Sequence, residues 1–296
     1  MRSDTGTWWQ HLRSGLPIRT LQFFGLAYML TWAFWIPMLF APDRLQYLHY
    51  LGSLGPLIAA FVMRYRDGGR NAVRELGAQM VRWRVPVRWA VFAVGFPLVL
   101  FALGAAVSAA MGSPVDWSEF LGSKEFANVG LMLIPVEILF FGFGEETGWR
   151  GYAIPSLQAD GWSSYGATTI FAFFWAGWHV PLFFYPYGLQ TLGLLMIPGW
   201  IISILLGAYL TTFLFNSARA SILVIAVFHG MVDIVSISRA ATDTTLLVVN
   251  AGLIAAAVLV VVRCAPSLGA GTAADDSGSR CCLLYTSDAA DERSSV

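Results

Sequence analysis

Residues 88–111 read RWAVFAVGFPLVLFALGAAVSAAM, with no charged side chain after Arg88. A membrane-spanning α-helix needs about 20 consecutive, mostly apolar residues, and this stretch supplies them. Working outward from it, comparable apolar stretches occupy 20–41, 46–64, 127–148, 164–185, 192–215, 220–238 and 244–262. The whole chain is 57% hydrophobic and only 12% charged, whereas soluble domains are about 45–50% apolar and about 25% charged. A chain of 296 residues cannot hide that much apolar surface in one soluble core. The expected fold is therefore all-α, a polytopic membrane helical bundle with about eight transmembrane helices. The lipid bilayer is its first partner. Pro37, Pro56, Pro97, Pro135, Pro181 and Pro198 end or interrupt several spans, which membranes tolerate when neighbours satisfy the freed backbone groups.

A formal net charge of zero gives no electrostatic case for nucleic acid, and none is expected as a partner. The first apolar run is too long for a signal-peptide core and has no small-residue cleavage site directly after it. Cys264, Cys281 and Cys282 all follow the last apolar stretch, so no disulfide framework or zinc-type spacing is present. The organisation expected is an N-terminal cytoplasmic arm over 1–19, a transmembrane helical domain over 20–262 and a polar, disordered tail over 263–296. Within that tail, Cys282-Leu-Leu-Tyr-Thr-Ser-Asp-Ala-Ala-Asp-Glu-Arg reads more like a translated sequencing adapter than a native protein end.

Arginine placement orients the bundle. Arg2, Arg13 and Arg19 precede the first span, and Arg64, Arg66, Arg70, Arg74, Arg82, Arg84 and Arg88 follow the second. Both groups are expected on the cytoplasmic side of the inner (plasma) membrane. Loop 112–126, with Asp116, Glu119 and Glu125, falls outside; Arg150, Arg219 and Arg263 fall inside, and Arg239 is the exception. Residues 71–87 read as a basic, partly amphipathic surface segment, with Trp83 and Trp89 at headgroup depth, or as a plain cytoplasmic loop.

Ionisable side chains at membrane depth cost at least about 2.5–3.5 kcal/mol each. The candidates are Glu137, Glu145, Glu146, Arg150, His179, His229 and Asp233. Helical spacing sorts them. Glu146 and Arg150 are four apart and share a face, so Arg150 can neutralise Glu146. Glu145 lies about 100° further around the helix, away from that cation, a setting that suits a general base or acid working near neutral pH. His229 and Asp233 are also four apart, so Asp233 can fix the imidazole tautomer. Trp175 precedes His179 at the same spacing and can cover its ring. Bland alternatives exist for each: a helix-end ion pair, a histidine bonding between helices, Asp233 as an interface residue, and Glu137 as a structural or outward-facing polar group.

Glu145-Glu146-Thr-Gly-Trp-Arg150 resembles the Glu-Glu-x-x-x-Arg motif of the CPBP family of intramembrane proteases. That group is related to the CAAX prenyl endopeptidase and to the bacterial Abi bacteriocin-immunity proteins. Trp175-Ala-Gly-Trp-His179 is similar to the family's Phe-x-x-x-His, and His229-Gly-Met-Val-Asp233 to its His-x-x-x-Asn/Asp. All three occur in order, and the resemblance defines a catalytic core over 127–238. Two departures stand out: Trp175 replaces phenylalanine, and Asp233 stands where the prenyl endopeptidases have Asn. An ionised Asp cannot donate to an oxyanion as Asn can.

The resemblance implies hydrolysis of a peptide bond in a membrane-associated or lipidated, CAAX-like protein or peptide. By position, Glu145 would activate water with help from His179, and His229, with or without Asp233, would stabilise the oxyanion. Glu146, Arg150 and Trp175 would support them. The cofactor is expected to be none, or a divalent metal such as Zn held by Glu145, His179 and His229; no His-Glu-x-x-His helix is present. Two other readings stay open, a proton- or ion-coupled transporter and a non-catalytic bacteriocin-immunity membrane protein. Depth along the spans poses a geometric problem. His229 lies about 13 Å from its cytoplasmic loop and His179 about 22 Å from its own.

Overall fold

A computed structural model describes residues 18–124, 130–186 and 188–268, the side chains of 191 and 264–268 excepted. Most of the N-terminal arm (Arg2 and Arg13 included), Glu125, and the tail with Cys281 and Cys282 lie outside the described residues. The fold is all-α. Among the described residues the only β pairing is an isolated antiparallel bridge between Ser123 and Ser238.

In chain order the helices are α1 (Ile18–Phe40), α2 (Leu48–Ser53), α3 (Gly55–Met80), α4 (Val87–Ala110), α5 (133–159), α6 (Ser164–Trp178), α7 (Ile197–Ser217), α8 (Ile222–Ile237) and α9 (Asp243–Leu268). Five stretches are long and apolar enough to cross a membrane: Ile18–Phe40, Val87–Ala110, Ser164–Phe184, Leu194–Ser217 and Asp243–Arg263. Ile222–Ile237 is apolar but shorter. The expected spans 46–64 and 127–148 are not continuous α-helices. The first divides into α2 and α3 at Gly55-Pro56, and the second alternates between α and π geometry.

The break between α2 and α3 leaves carbonyls without helical partners, and side chains from neighbours supply the donors. Thr31 Oγ1 donates to Gly52 O at 2.8 Å, and Trp35 Nε1 to His49 O at 3.0 Å. Ser53 Oγ reaches both Tyr50 O and Phe140 O. This is how a broken segment survives at membrane depth.

Loop contacts gather the helix ends into two sets. At one end, Thr20 bonds Ser156, Arg64 Nη2 donates to Gly151 O at 2.7 Å, and Tyr152 OH donates to Asp67 at 2.7 Å. At the same end Arg82 donates to Arg219 O, and Ser221 Oγ donates to Arg82 O. At the other end, Lys124 N donates to Ile237 O at 2.8 Å, and Lys124 Nζ to Ala241 O at 2.6 Å. Partial burial holds the Lys124 ammonium below its usual range, with nearby Asp243 opposing the shift. Arg239, the exception in the arginine pattern, pairs there with Glu119 at 2.6 Å. Arg64, Arg82, Arg219 and the segment around them share the first end, whereas Arg150 is buried within the bundle. The segment 71–87 is helical to Met80, after a kink at Gly68-Gly69 where Gly69 has φ +60°. Leu76 and Gln79 face inward while Trp83 is exposed.

Close approach of α5 to α3 depends on Gly148. A Cβ there would lie 2.7 Å from Pro56 O, closer than packing allows. Gly148→Ala is expected to cost about 1–3 kcal/mol through overpacking. A thermal melt of the detergent-solubilised protein checks this. Gly199→Ala is the control, because nothing lies within 4 Å of a Cβ at that position.

Candidate active site

The segment bearing the paired glutamates crosses the middle of the bundle. Gly144–Gly148 is α-helical, with π turns before it (Glu137–Phe143) and after it (Trp149–Ala153). Widened turns of this kind concentrate at functional sites. Glu145, Glu146 and Arg150 are all buried, with Glu146 at 0% exposure, so each charge has to meet a partner within the protein.

Glu146 and Arg150 pair as the four-residue spacing requires, with Nη1 to Oε2 at 2.7 Å. The guanidinium lies over the Phe171 ring at 4.8 Å and the Trp175 ring at 5.6 Å, and its Nη2 donates to Thr211 Oγ1. The second Glu146 oxygen accepts from His229 Nδ1 at 2.6 Å. Glu146 thus couples α5 to α8, a contact that in-helix spacing cannot reveal.

Among the described residues no cation pairs with the Glu145 carboxylate, but it does have partners. Oε2 accepts from Trp175 Nε1 at 2.8 Å and from Trp149 Nε1 at 3.2 Å. Trp149 stands four residues on and supplies the in-helix partner that the sequence reading did not assign.

Both histidines reach the same indole despite the depth mismatch, the Trp175 ring lying 5.7 Å from His179 and 6.2 Å from His229. α6 ends at Trp178, which leaves His179 as its C-terminal cap. Its Nδ1 carries the proton, because its partner at 2.7 Å is the Trp175 carbonyl, which can only accept. Nε2 is left for another group. On α8, His229 Nε2 lies 3.5 Å from Asp233 Oδ2, so the four-residue pair forms, more loosely than the His229–Glu146 bond.

Glu145, His179, His229 and Asp233 line one cavity of about 510 Å³, walled by α1, α2, α5 to α9 and the segment after α6. Trp200, Leu206, Leu210 and Leu253 give it an apolar lining, with Ser203, Ser236 and Asn250 as polar points. Glu137 also lines it and is 2% exposed, which corrects the outward-facing option for that residue. His49, on α2, is a further member, packed against Trp35 and Phe141. The sequence held the signal for it, an ionisable side chain inside the 46–64 span, but the break that turns it inward is tertiary.

The alternative of a divalent metal on Glu145, His179 and His229 does not fit these donors. Both His229 nitrogens face carboxylates, which leaves neither turned to an ion shared with Glu145 and His179. Among the described residues no group of three His, Cys, Asp or Glu side chains is placed to hold an ion.

Residues 126–235 match the family model described as type II CAAX prenyl endopeptidase Rce1-like. The chain is also 27% identical over 164 residues to CAAX prenyl protease 2 of Methanococcus maripaludis. That alignment covers 54% of this chain and 60% of that protein, so the chain spans less than two thirds of the length of the curated relative it matches. The matched segment holds all three motifs, and those motifs converge on one cavity wall. Over residues 126–235 the chain is therefore similar to the CAAX-type intramembrane proteases.

Proposed function

We propose that this protein is an intramembrane endopeptidase that hydrolyses a peptide bond of a membrane-associated or lipidated, CAAX-like substrate by glutamate-activated water. The observation that carries this reading is Glu145, a buried carboxylate that pairs with no cation among the described residues, in the wall of an interhelical cavity shared with His179 and His229. The apolar lining suits a substrate carrying a lipid or a hydrophobic segment.

In this mechanism water sits between Glu145 and His179 Nε2. Glu145 takes one water proton while the water oxygen bonds to the scissile carbonyl carbon. The carbonyl oxygen becomes an oxyanion, stabilised by donation from His229 Nε2. Collapse breaks the C–N bond, and the proton held by Glu145 passes to the leaving amine. Glu146, between Arg150 and His229, accepts from Nδ1, and with Asp233 on the other side the ring is held doubly protonated, so that Nε2 has a proton to donate. Asp233 orients Nε2 from the other side. We place the arginine-rich end of the bundle and the N-terminal arm at the cytoplasmic face of the inner membrane, on the distribution of Arg64, Arg82, Arg88 and Arg219. In the same reading the transmembrane unit is 20–262.

The test is cleavage of a farnesylated CAAX-type peptide by the purified protein, with products identified by mass spectrometry and Glu145→Gln as the comparison. Absence of any cleaved product from the wild type across prenylated and unprenylated peptides counts against the reading. A second variant probes Asp233. Asp233→Asn is expected to retain activity within about tenfold, because an amide still bonds the imidazole and can itself donate to the oxyanion. Asp233→Leu should lose about 100-fold or more, in the range of a lost oxyanion-hole group. Equal activity in Asp233→Leu and wild type would remove Asp233 from the site.

A further inference from the structure

Position 175 is where this chain leaves the family pattern, with tryptophan in place of phenylalanine. Phenylalanine has no hydrogen-bond donor, whereas indole has one, and here Nε1 lies 2.8 Å from Glu145 Oε2. The second indole, Trp149, donates to the same oxygen at 3.2 Å. Both donors are buried, Trp149 at 0% and Trp175 at 9% exposure. The Trp175 ring is itself held by Phe171, with ring centroids 5.6 Å apart and stacked, and by the Arg150 guanidinium. A donor fixed on two sides holds its acceptor in one place.

We propose that Trp175 is a positioning residue that acts through its indole N–H, clamping Glu145 Oε2 together with Trp149 so that Oε1 alone receives the proton from water. The inference rests on the hydrolytic reading of the site and adds to it the atom that acts as base. A carboxylate has two equivalent oxygens and rotates freely about its last bond. Two donors on one oxygen end that equivalence and select a single orientation. In a reaction that depends on near-attack geometry, removing such disorder lowers the barrier without changing how substrate binds. Other charged or titratable groups around the site are Glu146, Arg150 and Glu137 on α5, His49 on α2, His179 after α6, and His229 and Asp233 on α8. Both oxygens of Glu146 are engaged elsewhere, by Arg150 and His229, and the two indoles donate to Glu145.

The experiment replaces only the donor. Trp175 is exchanged for 3-benzothienylalanine, which keeps the bicyclic shape and carries sulfur in place of N–H, and separately for Phe. Cleavage of a farnesylated CAAX-type peptide is followed beside wild type and Glu145→Gln. The benzothienyl protein is expected to lose roughly ten- to 100-fold in kcat with KM within about twofold and an unchanged melting temperature. Trp175→Phe should show the same split. Wild-type kcat in the benzothienyl protein, with Glu145→Gln inactive, would overturn the clamp and leave the hydrolytic reading standing. Full activity in Glu145→Gln would overturn both. A fall in kcat that tracks a fall in melting temperature would assign Trp175 a packing role and overturn the clamp.

Discussion

Glu145→Gln is expected to remove peptide cleavage, by about 100- to 10,000-fold as for loss of a general base, while the protein folds and inserts normally. The substitution is close to isosteric. The amide oxygen of Gln can still accept from Trp149 and Trp175, which hold the carboxylate at 3.2 and 2.8 Å, so the side chain stays in place. What is lost is the capacity to accept a proton from water, because an amide is not a base at neutral pH. The measurement is product formation from a farnesylated CAAX-type peptide, with gel filtration and a thermal melt establishing that the variant is folded. Retained cleavage would end the role given to Glu145. A proton-coupled flux that is lost in the variant, with no peptide product from either protein, would move the reading to transport.

Arg150→Met is expected to act on folding before it acts on chemistry. The guanidinium is 1% exposed and stacked on Phe171 and Trp175, and it neutralises a fully buried Glu146. Removing one member of a buried pair strands the other charge, at a cost of about 3–5 kcal/mol. Methionine replaces the aliphatic volume, so the loss reports the charge and the hydrogen bond to Thr211. The expected result is a much lower melting temperature, or aggregation on extraction. The double variant Arg150→Met with Glu146→Leu should recover part of that stability, because no charge is then stranded. It should stay poorly active, because His229 would lose its Nδ1 acceptor. Arg150→Met melting with wild type would contradict the buried-pair account.

Which features were legible in sequence follows from the range of the interactions concerned. The Glu146–Arg150 pair and the His229–Asp233 contact are set by helical spacing, and both form. Glu145 being apart from the cation follows from the same spacing. Trp149 as a donor to Glu145 obeys it too, and was available to the same argument. The Glu146–His229 bond, the Trp175–Glu145 bond and the inward turn of His49 join different helices. Those contacts depend on how each helix is rotated and where its turns widen.

By itself the sequence determined an all-α membrane bundle, since 57% hydrophobic residues in long uncharged runs have no other way to satisfy their backbone in lipid. It also determined the order of the three motifs and the members of each in-helix pair. Only the tertiary structure decided that the 46–64 and 127–148 stretches are broken rather than continuous, and that the breaks deliver His49 and Glu137 to the cavity. It also decided which carboxylate oxygen meets which donor. The physical reason is one of range. Hydropathy and i,i+4 geometry act along one helix, whereas π turns, proline breaks and side-chain bonds to orphan carbonyls fix the rotation of one helix against the next.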